Sequence, residues 1–373
     1  MKHTSIAGIA LMAAIASFGA PLPSRAVKPA VAPGSILAAY SDMGVAAKNP
    51  DYRSYLAETK KLMPKLGLPQ GVLNAIEKGR FLDIDAFGDG WVLVSVGSVK
   101  APTGSEPMEM PDVALVAYAS KGGFSNTIEA IGDIFNELIP PEARATVSER
   151  VQIIDRTIAG AKAKAVKFAE DPSEGALKNF VPCWTLLNDR VMIFALSEKA
   201  LEKQIVFQRG GGVSSKDFDS VFRLSGSEIC RVAVPKVGRL VGTFGIDQEL
   251  EDLGTLPDET TSISSVVKGL GDIILSMGYA NGNEDIALSV EFGSPEHAQT
   301  INGLLMGALM PMKQMVAQAT ANGAEDAETL LAKTVIESIK PKVVGSVLRV
   351  SISVPWKQAL AMTFSDIDED DED

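Results

Sequence analysis

Apolar residues recur at helical spacing between Asp51 and Met63, at Tyr55, Leu56, Leu62 and Met63, until Pro64 stops the run. That spacing predicts a helix, preceded by a strand over Ser35–Ser41 and followed by a second helix over Pro69–Lys78. Phe81–Ala86 and Trp91–Val99 read as strands joined by the Gly88-Asp89-Gly90 turn. Lys100–Pro111 carries three prolines and no periodicity, so it reads as a loop. Asp112–Ala119 is a predicted strand. Asn126–Ile139 is an amphipathic helix with Ile128, Ile131, Phe135 and Leu138 on one face, ended by Pro140-Pro141. Val151–Phe168 partly alternates around Gly160, as two strands or one bent strand would. Phe180–Leu187 and Arg190–Leu196 form a hairpin across Asn188-Asp189, and Ser197 caps a helix over Glu198–Val206.

Gly210-Gly211-Gly212 and Ser214-Ser215 have linker chemistry. They are no phosphate loop, because Lys216 is followed by Asp217 rather than Ser or Thr. Beyond them a similar order of elements returns. Glu228–Val234 is a strand, and an acidic stretch leads to a helix near Ser262–Gly269. Strands Asp272–Tyr279 and Asp285–Phe292 flank an Asn281-Gly282 turn. Ser294 caps a long helix that opens with Pro295 and carries the stripe Ile301, Leu304, Leu305, Ala308 and Leu309, and Pro311 is expected to kink or break it. A helix over Ala324–Ile339, a strand Val343–Val354 around Gly345, and a closing segment Trp356–Met362 complete the second half.

Asp112-Val113-Ala114-Leu115 matches Asp285-Ile286-Ala287-Leu288, each before a predicted helix, and Gly160 parallels Gly345. Both parallels point to an internal duplication. The fold class is α+β: two related modules, each an antiparallel sheet with helices packed on one face. The expected organisation is 27–209 for the first module, 210–216 for a Gly/Ser linker, 217–364 for the second module and 365–373 for an acidic disordered tail.

The first 26 residues add a location. Lys2 and His3 precede an apolar run from Ile6 to Ala16, too short to span a bilayer, and Ser24-Arg25-Ala26 is a small-x-small cleavage site. They read as a signal peptide cut between Ala26 and Val27, which places the remainder in the periplasm or outside the cell. No later segment is long enough for a span, and Ile301–Met310 is cut short by Pro311.

The net charge of −12 and the lack of a basic window exclude nucleic acid as a partner. Seven of the last eight residues are acidic, a block that repels itself and stays solvated. In an oxidising compartment Cys183 and Cys230 invite a disulfide, or else are two separate buried thiols. Their spacing excludes a Cys-x-x-Cys redox role.

Thr185–Ser197 (TLLNDRVMIFALS) and Phe292–Ala298 (FGSPEHA) carry hairpin and strand-to-helix signatures. On these segments the chain resembles exported bacterial two-module α+β proteins of unknown function. The resemblance implies a fold type and carries over no site residues.

After signal cleavage His297 is the sole histidine, and it reads as a surface residue in the first turn of a helix, not a catalytic base. Zinc sites rich in His or Cys cannot be assembled from this inventory. Carboxylates are the remaining equipment. If Phe81–Ala86 is a strand, Asp83 and Asp85 share a face beside Asp89, where they could share a proton, hold a cation, or be solvated. The spacing also suggests an EF-hand, but Phe87 and Val94 stand where oxygen ligands are required. Glu106, Met108, Glu109, Met110 and Asp112 form a second acidic patch in a loop. No aspartate is followed by the Thr/Ser-Gly of aspartic peptidases.

The expected function is therefore an exported non-enzymatic binding or structural protein, using no cofactor or metal. Its expected partner is an envelope or extracellular protein or a glycan. The alternative is a carboxylate-dependent hydrolase, an acid-active peptidase or glycan hydrolase, with Asp83, Asp85 and Asp89 as its candidate catalytic residues.

Overall fold

The computed structural model describes residues 28–97, 108–109, 111–138, 151–168, 177–178, 180–210, 213–244, 250–256, 261–321 and 327–368. The expected signal peptide, part of the 210–216 segment and residues 369–373 of the acidic tail lie outside them. The chain divides into two compact units between Phe222 and Arg223. Residues 217–222, read above as the start of the second module, belong to the first unit. Phe218 and Val221 are buried there, and the Val31 backbone is held by Ser214 Oγ and the Ser215 N–H, at 3.1 and 3.0 Å.

The first unit runs β1 (Ser35–Asp42), α1 (Met43–Lys48), α2 (Pro50–Leu62), α3 (Gln70–Lys78), α4 (Ile84–Phe87), β2 (Trp91–Gly97), β3 (Met108–Glu109), β4 (Val113–Tyr118) and α5 (Phe124–Leu138). It continues with β5 (Val151–Ile158), β6 (Ala161–Phe168), β7 (Leu177–Lys178), β8 (Cys183–Asn188), β9 (Val191–Ala195) and α6 (Glu198–Arg209). Seven strands form an antiparallel sheet in the order β1-β2-β4-β9-β8-β6-β5, while β3 and β7 pair in parallel. The Val151–Phe168 stretch is two strands, turning at Ala159 and Gly160, both with positive φ.

Register decides what each face buries. Val92, Ala117 and Met192 stand opposite one another on β2, β4 and β9 and face a core with Phe81, Ala86, Phe124 and Ala130. Ser95 points to the other face, where Gln204 of α6 donates to its hydroxyl at 3.3 Å. Helices thus lie on both faces of the first sheet, a correction to the one-face expectation. The reason is that β2 is buried on both sides: Trp91, Val92 and Leu93 are consecutive and all buried.

The second unit runs β10 (Glu228–Val234), α7 (Val237–Phe244), α8 (Ile263–Lys268), β11 (Ile273–Ala280), β12 (Asn283–Glu291), α9 (Pro295–Ala321), α10 (Ala327–Ser338), β13 (Lys340–Val344), β14 (Val347–Pro355) and α11 (Trp356–Asp368). Its five strands are antiparallel in the order β10-β11-β12-β14-β13. Asn281 and Gly282 both have positive φ, as the two-residue β11–β12 hairpin requires. Ser294 Oγ accepts from the His297 N–H at 3.2 Å, the cap expected at the start of α9. Pro311 does not end α9. The proline removes the hydrogen bond to the Gly307 carbonyl, and both residues are exposed, so water can take the freed acceptor. Helix α11 takes in Ser365–Asp368, the first part of the segment expected to be disordered.

Both units use one strand plan. The first strand pairs with the second, the second with the third, the third with the last, and the last with the one before it. A helix separates the third strand from the following hairpin, and another helix follows the last strand. The matching segments at Asp112 and Asp285 fall on the equivalent third strands, β4 and β12. Gly160 and Gly345 are not equivalent. Gly345 turns β13 into β14, the counterparts of β8 and β9, whereas Gly160 lies in the β5–β6 hairpin, which has no counterpart among the described residues of the second unit.

Phe124 is fully buried in the first core. Phe124→Ala is expected to lower the unfolding free energy by about 3–5 kcal/mol in urea titration. A loss under about 1 kcal/mol would show that this cluster is not the core of the first unit.

Candidate functional site

The acidic cluster of the first unit does not form the expected strand face. Asp83 is the N-cap of α4, its Oδ1 accepting the N–H groups of Asp85 and Ala86, each at 3.2 Å. An aspartate that offers its carboxylate to nearby backbone favours a cap over an extended strand. The Asp83 carboxylate also pairs with Arg80 at 2.5 Å. Asp85 accepts from Nη1 and Nη2 of the Arg53 guanidinium, at 2.8 and 2.6 Å, which lowers its pKa. Asp89 lies 3.6 Å from Lys48, with both side chains exposed. Each carboxylate thus has its own cation, the opposite of two acids sharing a proton.

In the second acidic patch, Met108 and Glu109 form β3 and Asp112 pairs with Lys203, while Glu106 and Met110 lie outside the described residues. No group of three His, Cys, Asp or Glu that could hold a metal occurs among the described residues. His297 is half-buried rather than a surface residue.

Both cysteines are free thiols. Cys183 on β8 is buried, and desolvation followed by the Glu198 charge pushes it up to about 12. Burial pushes Cys230 on β10 up to about 11. Neither is an activated nucleophile, because the thiolate is the reactive form.

The second unit holds two surfaces that the sequence did not single out. The first is a groove of about 410 Å³ on one face of its sheet. Leu348, Val350 and Val290 point to the other face and pack with Val266 of α8 and with Ala298 and Ile301 of α9. The alternate residues Arg349, Ser351 and Ser353 of β14, with Asp285 and Ala287 of β12, therefore face the groove. Ser276, Gly278 and Ala287 keep its floor low, and Gly278 cannot carry a side chain because a Cβ would stand 2.3 Å from the Ser227 carbonyl oxygen. The turn Ser225–Glu228 lines the groove at β10, and Lys340 and Arg349 line it at the β13–β14 hairpin.

The groove's carboxylates are engaged. Glu228 pairs with Arg231 and accepts the Ser225 N–H, and Asp285 accepts from the Ser353 hydroxyl. Lys340 and Arg349 are exposed and make no ion pair among the described residues. Lys340 and Lys342 are two apart before the Gly345 turn and so share a face, and a two-residue turn sets Arg349 opposite Lys342, which is the signal that could have placed all three together.

The second surface is the outer side of α9. Leu304, Met306, Met310 and Met315 are exposed on it, with Met310 at 52% and Met315 at 61%. Gly303 and Gly307 have nothing within 4 Å of where a Cβ would stand. Between Glu296 and Glu325, Lys313 is the only charged residue.

No family model matches the chain, and no curated protein matches it. Similar solved structures include three crystal forms of TP0453, a protein from Treponema. Form III has a TM-score of 0.38 at 9% identity, covering 91% of this chain and 99% of that one. Form IV gives 0.37 at 9%, covering 89% and 97%, and form I gives 0.35 at 8%, covering 91% and 98%. Similarity at this level supplies no ligand and no site residue. The α+β assignment rests on the elements of the chain itself.

Among the described residues one carboxyl departs upward. Glu284 of β12 is half-buried, and desolvation raises its pKa above the ordinary value of 4.5, partly offset by the Tyr279 hydroxyl donating at 3.2 Å. Between the unfolded and the raised folded pKa the native state holds more protons, so this residue's contribution is full in acid and is lost as pH rises through the folded value. Glu284→Gln is accordingly expected to raise Tm at neutral pH, with the gain shrinking as pH falls toward the ordinary carboxyl range. A gain that is absent at neutral pH, or grows in acid, would contradict this assignment.

Proposed function

We propose that the chain is a non-enzymatic binding or structural protein of the cell envelope or its exterior, delivered there by residues 1–26. The observation that carries this reading is the outer side of α9. A helix apolar on all sides is ordinarily buried. Here the outer side is exposed and built from adaptable methionines, which suit a contact surface. Its one charged residue between Glu296 and Glu325 is Lys313, which is half-buried. The fitting partner is an uncharged, apolar protein segment, and the bare backbone at Gly303 and Gly307 leaves room for close approach.

The individually paired carboxylates Asp83, Asp85 and Asp89 favour this reading over a hydrolase. Acid catalysis needs a carboxyl held protonated, and the Arg53 guanidinium drives Asp85 the other way.

An apolar fluorescent probe such as anilinonaphthalene sulfonate tests the surface on the native chain. Fluorescence enhancement is expected with the parent and is expected to fall several-fold in M310E/M315E at unchanged Tm. No enhancement, or enhancement indifferent to the substitutions, would contradict the assignment. Turnover of a peptide and glycan panel from acid to neutral pH would contradict the non-enzymatic reading.

A further inference from the structure

The groove of the second unit has an unbalanced charge at one end. Lys342 stands directly opposite Arg349 across the β13–β14 pair, and Lys340 is opposite Ser351 on the same face. All three cations are exposed, and none is in an ion pair among the described residues. Several other exposed cations of this acidic chain lie against carboxylates, among them Arg53 with Asp85, Lys78 with Asp133, Arg80 with Asp83 and Lys164 with Asp155. Like charges placed directly opposite on neighbouring strands destabilise a sheet. Lysines on an edge strand guard against pairing with other chains, which accounts for Lys340 and Lys342 on β13. It does not account for Arg349, which lies on the interior strand β14, nor for the groove that begins beside it.

We propose that this groove binds an acidic glycan, with Lys340, Lys342 and Arg349 taking its anionic groups. Arg349 offers a planar fork of donors matched to a carboxylate or sulfate, and the lysines add point charges. The hydroxyls of Ser276 and Ser351 on the shallow floor suit the hydroxyl groups of a sugar chain. Glu228 and Asp285 are already neutralised or hydrogen-bonded, so they do not cancel the attraction. This site is separate from the outer side of α9 and does not depend on the partner assigned to that surface.

Isothermal titration of the full chain with tetragalacturonate, a sulfated heparin tetrasaccharide, maltotetraose and inorganic phosphate tests the proposal. Binding of one or both acidic oligosaccharides is expected, weakened at least tenfold in K342Q/R349Q at unchanged Tm, and weakened by added salt. Which acidic sugar binds identifies a carboxylated or a sulfated source. Maltotetraose is expected not to bind, and phosphate to bind far more weakly than either acidic sugar. M310E/M315E is expected to keep glycan binding, which separates this proposal from the α9 surface. Equal binding of neutral and acidic sugars, phosphate binding as tight as that of the sugars, indifference to K342Q/R349Q, or no binding at all would overturn it.

Discussion

The register between β12 and β14 is the constraint on which the second unit depends. Leu288 opposes Val350 and Val290 opposes Leu348, so the apolar positions of both strands turn toward α8 and α9. The same register turns Asp285, Ala287, Ser351, Ser353 and Arg349 to the open face. Side chains alternate along a strand, so a slip of one residue would bury the arginine and expose the core. The pairing joins strands separated by the whole of α9 and α10. The equivalent pairing in the first unit, β4 with β9, likewise spans α5 and the β5–β6 hairpin.

The local plan was largely readable in the sequence. Ser197 and Ser294 cap their helices as their positions suggested, and Asn281-Gly282 makes the hairpin that its left-handed preference demands. Phe81–Ala86 misled because its alternation mimics a strand. Ile84 and Ala86 are buried, as alternation implies, but the Asp83 carboxylate captures the backbone that follows it and turns the chain into α4. Of the two outcomes expected at Pro311, a break does not occur, because the freed carbonyl is exposed to water. The seven-strand sheet with helices on both faces was not readable, since a continuous apolar run such as Trp91-Val92-Leu93 does not say which elements cover it.

The candidate surfaces were harder to see than the fold. Asp83, Asp85, Asp89 and Asp112, which drew attention in the sequence, are each held in an ion pair. The groove's character comes from residues brought together by the β13–β14 hairpin, among them Lys340 and Arg349. The α9 stripe was legible as apolar, but Leu304, within that stripe, proves exposed while Leu309 is buried. Which part of a nearly uncharged helix faces the core is fixed by the strands beneath it. The second unit thus carries two distinct surfaces, one apolar on α9 and one cationic at the β13–β14 hairpin.

An engineered cross-link reads the register that separates those two surfaces. Ala287 and Ser351 stand directly opposite each other on β12 and β14. A287C/S351C is expected to form a disulfide between those two positions under mild oxidation, located by peptide mapping, while A287C/I352C, one residue out of register and on opposite faces, is expected to remain reduced. Preferential bonding in A287C/I352C would contradict the account, because the apolar and polar faces of the second sheet would then be exchanged.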